Sequence, residues 1–250
     1  TLLEEWAKKD PLLCFEKYIL EKNVLNQTEI NNIKSEIKNE IDQAAEHAFK
    51  DETRTANTKI ELDDMYSGIL KVGYFQDIAH LQDHKKSNKR YLDAISDGLR
   101  QGMRTYPNLV IMGQDIAEYG GAFKITQGFV EEFGKDRVRN TPICESAIVG
   151  AALGLSINGY KTIIEMQFAD FVTCGFNQII NNLAKTHYRW GEKADVVIRM
   201  PTGPGTGAGP FHSQSNEAWF TKTPGLKVVY PAFPSDAKGL LLAAIEDPNP

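Results

Sequence analysis

Between Ser146 and Gly159 the chain reads Ser-Ala-Ile-Val-Gly-Ala-Ala-Leu-Gly-Leu-Ser-Ile-Asn-Gly without one charged residue, and Glu145 stands at its mouth. A segment so apolar, with so many small side chains, is stable only where other elements cover it. Its pattern predicts a helix packed closely on both sides and ended by Asn158 and Gly159. Glu145 then falls at the helix N-terminus, where the dipole favours an anion and burial disfavours one. Two readings stay open on these residues. Glu145 is a first-turn carboxylate that serves the helix end, or a carboxyl held between opposing influences for acid–base work.

From residue 91 onward apolar periodicity alternates between helix and strand, which predicts an α/β fold with a parallel sheet covered by helices on both faces. Tyr91 to Thr105 reads as an amphipathic helix and Leu109-Val-Ile-Met112 as a buried strand ending in Gly113. Lys161 to Glu165, Asp195 to Arg199 and Lys227 to Tyr230 read as further strands. Phe171 to Trp190 reads as one long helix, and Ser235 to Glu246 as a helix with a Ser N-cap. Ligands of such sheets bind beyond the carboxyl ends of the strands, where Gln114, Gln167 and Arg199 fall.

Ahead of this lie two predicted helices within residues 10–50. Asp10-Pro11 supplies a cap followed by proline at the first helical position, and Leu12, Phe15 and Ile19 form a stripe. Asn26-Gln-Thr-Glu29 has the capping-box pattern, followed by Ile30, Ile33, Ile37, Ile41, Ala44 and Ala48 at helical spacing. Residues 51–89 read as a linker: polar to Asp64, apolar enough to dock from Met65 to Leu81, then a solvated basic run from His84 to Lys89. Net charge is −5 with scattered basic residues, so no nucleic-acid footprint is expected. Cys14, Cys144 and Cys174 lack metal-ligand spacing and fit reduced, buried thiols in a cytoplasmic protein. No apolar run is long enough to span a membrane and no signal peptide is visible. The ends at Thr1 and Pro250 read as cut rather than natural.

Six segments carry a resemblance. They are Gly113-Gln-Asp-Ile116, Gly120-Gly-Ala-Phe-Lys-Ile-Thr126, Phe133-Gly-Lys-Asp-Arg-Val138, Asn140-Thr-Pro-Ile-Cys-Glu145, Glu165-Met-Gln-Phe-Ala-Asp170 and Phe211-His-Ser-Gln-Ser215. In order and spacing this part of the chain resembles the β subunit of the thiamine diphosphate-dependent 2-oxo acid dehydrogenases, the E1 component. Asp10 to Lys22 and the long helix after it look like the C-terminal tail of the E1 α subunit. The resemblance therefore implies a fused polypeptide: an α-type helical tail at 1–50, a linker at 51–89 and a pyrimidine-binding domain at 90–250.

It also implies roles. Glu145 matches the glutamate that protonates the cofactor's aminopyrimidine, a raised-pKa acid buried against the ring. Gln167 would contact the same ring, Phe171 would lie against it without the hydroxyl that relatives often have, and Ile143 would wall its pocket. Cys144 is expected to pack rather than react. His212 matches the active-site histidine of β subunits, after the glycine-rich loop Pro201 to Pro210, which reads as a mobile active-site loop. The remaining histidines, His47, His80, His84 and His187, are assigned to the surface. Asp247 and Asn249, with main-chain carbonyls of Ala194, Val196, Val197 and Ala244, match a structural potassium site.

Mg²⁺ and its Gly-Asp-Gly…Asn motif would belong to the α-type portion; Ser96-Asp-Gly98 is no substitute, lying inside a predicted helix. This stretch alone is accordingly expected to be inactive. The expected partners are a lipoylated E2 transacylase, the α-type portion of the same chain and a second copy in a homodimer. The implied reaction is oxidative decarboxylation of a branched-chain 2-oxo acid. Pyruvate or acetoin dehydrogenase, a transketolase-like enzyme and a non-catalytic scaffold subunit are the alternatives.

Overall fold

The computed structural model describes residues 2–52, 55–68 and 88–250. The chain divides into two compact units, residues 1–56 and 57–250.

The first unit contains α1 (Leu2–Ala7), α2 (Pro11–Glu21) and α3 (Gln27–Lys50). Local chemistry sets these ends. Asp10 Oδ1 accepts from the Leu12 and Leu13 amides at 2.8 and 3.2 Å, with Pro11 at the first position. Asn26 and Glu29 cap reciprocally at 3.0 and 2.7 Å. A Glu16–Lys34 ion pair at 2.5 Å joins α2 to α3. Ile30 is buried, whereas Leu12, Phe15, Ile37 and Ile41 are exposed.

The second unit opens with α4 (Thr58–Asp63), inside the stretch expected to be linker. Residues 58–67 are tied to the body of this unit. The Tyr188 hydroxyl donates to Glu61 at 2.5 Å, the Tyr66 hydroxyl donates to Leu226 O, and Asn249 clasps the Ser67 backbone. Most of the apolar reading from Met65 to Leu81, and the basic run up to residue 87 with His80 and His84, lie outside the described residues.

After α5 (Tyr91–Thr105) come β1 (Leu109–Gly113), α6 (Phe129–Phe133), β2 (Val138–Asn140), α7 (Glu145–Ile157) and β3 (Lys161–Glu165). An irregular helical stretch leads into α8 (Ala184–Trp190), then β4 (Val196–Arg199), α9 (Ala218–Thr221) and α10 (Pro234–Glu246). The strands form a parallel sheet of order β2-β1-β3-β4, with Gly113 opposite Glu165 and Glu165 opposite Arg199.

Alternation along the strands builds two cores. Val110, Met112 and Ile164 point to one face, against Ile148, Val149 and Ala152 of α7 and Val172, Ile179 and Leu183. Leu109, Ile111 and Ile163 point to the other, against Leu99 and Met103 of α5 and Ile245 of α10. Each such buried side chain contributes about 1.5–3 kcal/mol, so the sheet rather than the loops anchors the fold.

Several expectations need correction. α7, uncharged after Glu145, is covered on one side: Ile148, Val149 and Ala152 are buried while Ala147, Ala151, Gly154 and Ile157 are exposed. Phe171 to Trp190 is no single α-helix. It begins as a 3₁₀ helix, Ala169–Gly175, and continues through a π-helical segment, Gln178–Leu183. Lys227 to Tyr230 forms no ladder; the Lys227 amide donates to Pro250 O, and Val229 and Tyr230 are exposed. β-branched residues favour a strand only where a neighbouring strand offers its edge. Phe233 occupies the N-cap of α10 with Pro234 at the first turn, so Ser235 is already helical. All three cysteines are exposed and free. His187 is half-buried, its Nδ1 enclosed without a partner among the described residues. No helix among the described residues is long and apolar enough to cross a membrane.

Candidate active site

The site lies at the carboxyl edge of the sheet, where β1, β3 and β4 end and α7 begins. Glu145 is the first residue of α7, follows Cys144 as N-cap and is 8% exposed. Its Oε1 accepts a 3.0 Å hydrogen bond from Gln114 Nε2, just beyond β1. Gln114 is itself buried, so the amide fixes one carboxylate oxygen without adding charge. Oε2 has no partner among the described residues. A carboxyl with one oxygen pinned and one free is what hydrogen bonding to a ligand ring nitrogen needs.

Close packing holds Glu145 against the 3₁₀ segment. A Cβ added to Gly175 would lie 3.4 Å from Glu145 O and 3.2 Å from Val149 Cγ2, so a side chain there would crowd Val149 and the two helical elements pack closely. That segment begins beside Gln167, which follows the end of β3. Gln167 is half-buried and its amide has no partner among the described residues. Phe171 sits in the same segment. Its ring meets Phe168 edge-on at 5.8 Å between centroids, and Phe168 meets Phe123 at 5.9 Å.

The glycine-rich loop delivers His212 onto these rings. The imidazole lies edge-on to Phe168 and Phe171, with centroids 5.0 and 5.3 Å away and interplanar angles of 84° and 81°. The loop is closed on itself: Ser213 Oγ bonds Thr206 Oγ1 at 3.2 Å and accepts from the Ala208 amide at 3.0 Å. His212 and Phe171, predicted separately, are therefore neighbours, and Gln167 begins the turn that carries both phenylalanines. Ile143 lies two residues before Glu145 and is 84% exposed, a wall only for something arriving from outside this chain.

Some contacts at this edge escaped the sequence. Gln114 was placed at the crevice but not on Glu145. Asp170 is buried, and its Oδ1 accepts from the Gln214 side chain at 2.8 Å and the Gln214 amide at 3.3 Å. Glu165 and Arg199 form a buried ion pair at the ends of β3 and β4. It is a charge contact rather than a directed hydrogen bond: Glu165 Oε2, Arg199 Nε and Nη2 lack hydrogen-bond partners among the described residues. The signal for both lies in long-range register, which no local pattern displays.

These residues fit the aminopyrimidine end of thiamine diphosphate: a buried carboxyl with an open oxygen, a free amide and an aromatic wall. They do not fit its diphosphate end. Among the described residues no group of three or more His, Cys, Asp or Glu is arranged to hold a metal. Asp97 of Ser96-Asp-Gly98 lies inside α5 and is bonded by Lys89 and Lys238, which pull its carboxyl down to about 2.

The potassium residues are knit together differently. Asp247 pairs with Lys227, and its Oδ1 accepts from the Asn249 amide and side chain at 3.0 and 2.7 Å. Asn249 Oδ1 accepts from the Ser67 amide at 2.6 Å. Ala194 donates to Pro248 O, and its own carbonyl accepts from Val196 N. The two side chains therefore satisfy protein groups, and the Ala194 carbonyl is already engaged by the Val196 amide. Val197 and Ala244 are half-buried nearby in sequence on β4 and α10.

Comparison with known proteins agrees with this fold. Residues 87–250 match the model "Transketolase, pyrimidine binding domain", and residues 1–57 match "Dehydrogenase E1 component". The 2-oxoisovalerate dehydrogenase subunit beta 2, mitochondrial, of Arabidopsis thaliana is 44% identical over 69% of this chain and 49% of its own length. The 2-oxoisovalerate dehydrogenase subunit beta of Bacillus subtilis is 44% identical over 64% and 50%. The pyruvate dehydrogenase E1 component subunit beta of Acholeplasma laidlawii is 44% identical over 64% and 49%. The chain thus spans about half the length of the curated relatives it matches. Among solved structures, a split-gene transketolase in an inactive β4 tetramer shares the fold, with TM-score 0.52, 20% identity, and coverage of 66% of this chain and 50% of that one. With its sheet, its glutamate at the start of α7 and these matches together, the chain belongs to the transketolase pyrimidine-binding domain family, in the β-type form of the thiamine diphosphate-dependent 2-oxo acid dehydrogenase E1 components.

Proposed function

We propose that this chain is the pyrimidine-binding half of a fused E1 component that oxidatively decarboxylates a branched-chain 2-oxo acid and passes the acyl group to a lipoyl domain. The observation that carries the reading is Glu145, buried, held by Gln114 at 3.0 Å and open at its second oxygen. Thiamine diphosphate, when bound, supplies the carbon nucleophile and the electron sink. Glu145 would carry the proton shared with N1′ of its aminopyrimidine, and Gln167 would address the ring edge with an amide that donates and accepts in one plane. Phe171 would lie against the ring, and Ile143 would wall it once a partner covers that side. His212 exchanges a proton with the substrate carboxylate or its products.

The division into residues 1–50, 51–89 and 90–250 belongs to the same proposal, as do Mg²⁺ held by the α-type portion and a potassium site at Ala194, Val196, Val197, Ala244, Asp247 and Asn249. The exposed, uncharged face of α7 at Ala147, Ala151, Gly154 and Ile157 supports a packing partner. We assign that role to the α-type portion or a second copy, with a lipoylated E2 as acceptor. The cytoplasmic location rests on the three free thiols.

Pyruvate is the second substrate reading, because a pyruvate dehydrogenase β subunit is as similar as the 2-oxoisovalerate ones. The test is thiamine diphosphate-dependent CO₂ release by the full-length protein with 3-methyl-2-oxobutanoate and with pyruvate. Faster turnover of the branched acid supports the proposal, faster turnover of pyruvate moves it to the second reading, and no release from either refutes it.

A further inference from the structure

The residues following the glycine-rich loop dock with a period of two. His212 lies on Phe168 and Phe171, Gln214 bonds Asp170 Oδ1, and Asn216 Nδ2 donates to Ala169 O at 3.2 Å. Ser213, between them, turns the other way and bonds Thr206 and Ala208 inside the loop. The alternation is one of contacts, made as the chain leaves the turn at 211–212 and the bend at Ser213. Residues 212, 214 and 216 therefore read the turn 168–171 from one side, while Ser213 organises the loop on the other.

Asp170 is the unusual member. It is 8% exposed and in no ion pair among the described residues; its side chain is bonded by Gln214 alone. A buried carboxylate with two neutral donors is an expensive way to fix a loop unless the position it fixes matters. Its sequence neighbours are the support of His212: Phe168 two residues before and Phe171 one after. Further bonds converge on the same point. Gly203 N and Thr202 Oγ1 both donate to Gln214 O, at 2.9 and 3.0 Å, and Ala169 N donates to Pro201 O at 2.7 Å. Gln214 is thus where both ends of the loop meet the turn.

We infer that Asp170 is a positioning residue for His212, acting through Gln214 to hold the imidazole at the site. Asp170 need not touch substrate; it sets where the loop's histidine stands. The inference rests on the functional reading above for His212, and it adds the residue that registers the loop.

The test uses the full-length protein and three variants, Asp170→Leu, Asp170→Asn and His212→Ala, with the double variant Asp170→Leu/His212→Ala. Asn keeps an acceptor oxygen for both Gln214 donors, so it restores function if the bonds matter rather than the charge. Asp170→Leu is expected to lower kcat at least tenfold with a smaller change in KM, and to raise amide exchange across residues 201–216 while strands β1 and β3 stay protected. The double variant is expected to be no slower than His212→Ala. Unchanged exchange at 201–216, or a double variant slowed by the product of the two single effects, overturns the inference. Exchange that rises in β1 and β3 as well, without rescue by Asn, also overturns it, because Asp170 would then support the fold generally. A wild-type protein without activity defeats the functional reading instead. Exchange in Asp170→Leu and Asp170→Asn then decides alone whether Asp170 registers the loop.

Discussion

Replacing Arg199 by Met should be among the most destabilising single changes in the second unit, for a reason that can be worked from the sheet. Glu165 and Arg199 face each other in the β3–β4 register and are 3% and 13% exposed at the side chain. Gly121 closes over them: a Cβ there would lie 3.2 Å from Glu165 Oε1. Two unit charges about 4 Å apart attract by about 4 kcal/mol at an effective dielectric constant of about 20. Removing the guanidinium forfeits that attraction and strands a carboxylate away from water, which together costs about 3–5 kcal/mol. Against a total of about 5–15 kcal/mol, this is a large fraction of the stability. Removing both charges with Glu165→Leu/Arg199→Met should return the protein to within about 1–2 kcal/mol of wild type, since an apolar pair in that place needs no desolvation of charge. Urea denaturation of wild type, both single variants and the double variant gives the cycle. A cost below about 1 kcal/mol for Arg199→Met, or additive effects in the double variant, would refute the argument that the pair is a buried, mutually dependent unit.

Other consequences follow from particular contacts. Gly225→Ala should destabilise by about 3 kcal/mol or more, because its φ is +90° and a Cβ would stand 1.9 Å from Ala184 O; a melting temperature within a degree of wild type would contradict this. Gln114→Leu keeps the fold but releases the bond to Glu145 Oε1, so thiamine diphosphate affinity should fall about fivefold to twentyfold, measured by calorimetry on the full-length protein. Asp97 has its carboxyl lowered to about 2 by Lys89 and Lys238. Its folded pKa is below the unfolded value, so the contribution is complete above about pH 4–5 and lost as pH falls through about 2. The site is partly exposed, so Asp97→Asn should remove less than about 1 kcal/mol at pH 7 and a clearly smaller amount at pH 2, where the native carboxyl is half protonated, read from urea midpoints.

How far the sequence predicted the structure depends on the range of the interaction. The Asp10 cap, the Asn26–Glu29 box and the stop at Asn158 and Gly159 use partners within one turn, and each forms as the residues suggest. β1 is legible because its unbroken apolar run suits a strand covered on both faces, and β3 because Thr162, Ile163 and Ile164 are β-branched. Val138–Asn140 is too short to show alternation and was not foreseen. The π-helical segment at Gln178–Leu183 keeps apolar residues near helical spacing, so the pattern cannot separate it from an α-helix. Lys227 to Tyr230 has strand-forming residues and no ladder, which composition does not reveal. At the site, Glu145 stood out because it is the one charge at the mouth of an uncharged run. Asp170 did not, since its partner Gln214 is 44 residues away and only the fold brings them together.

The central claim is that Glu145 does chemistry rather than merely beginning a helix. The most direct measurement is thiamine diphosphate-dependent CO₂ release from 3-methyl-2-oxobutanoate by the full-length protein, wild type beside Glu145→Gln. Glutamine keeps the size and can still accept from Gln114, so the fold should stand while the proton site is lost. The account predicts a loss of at least a hundredfold in kcat with unchanged thermal stability. Equal rates in the two proteins would contradict it and return Glu145 to a structural residue of α7.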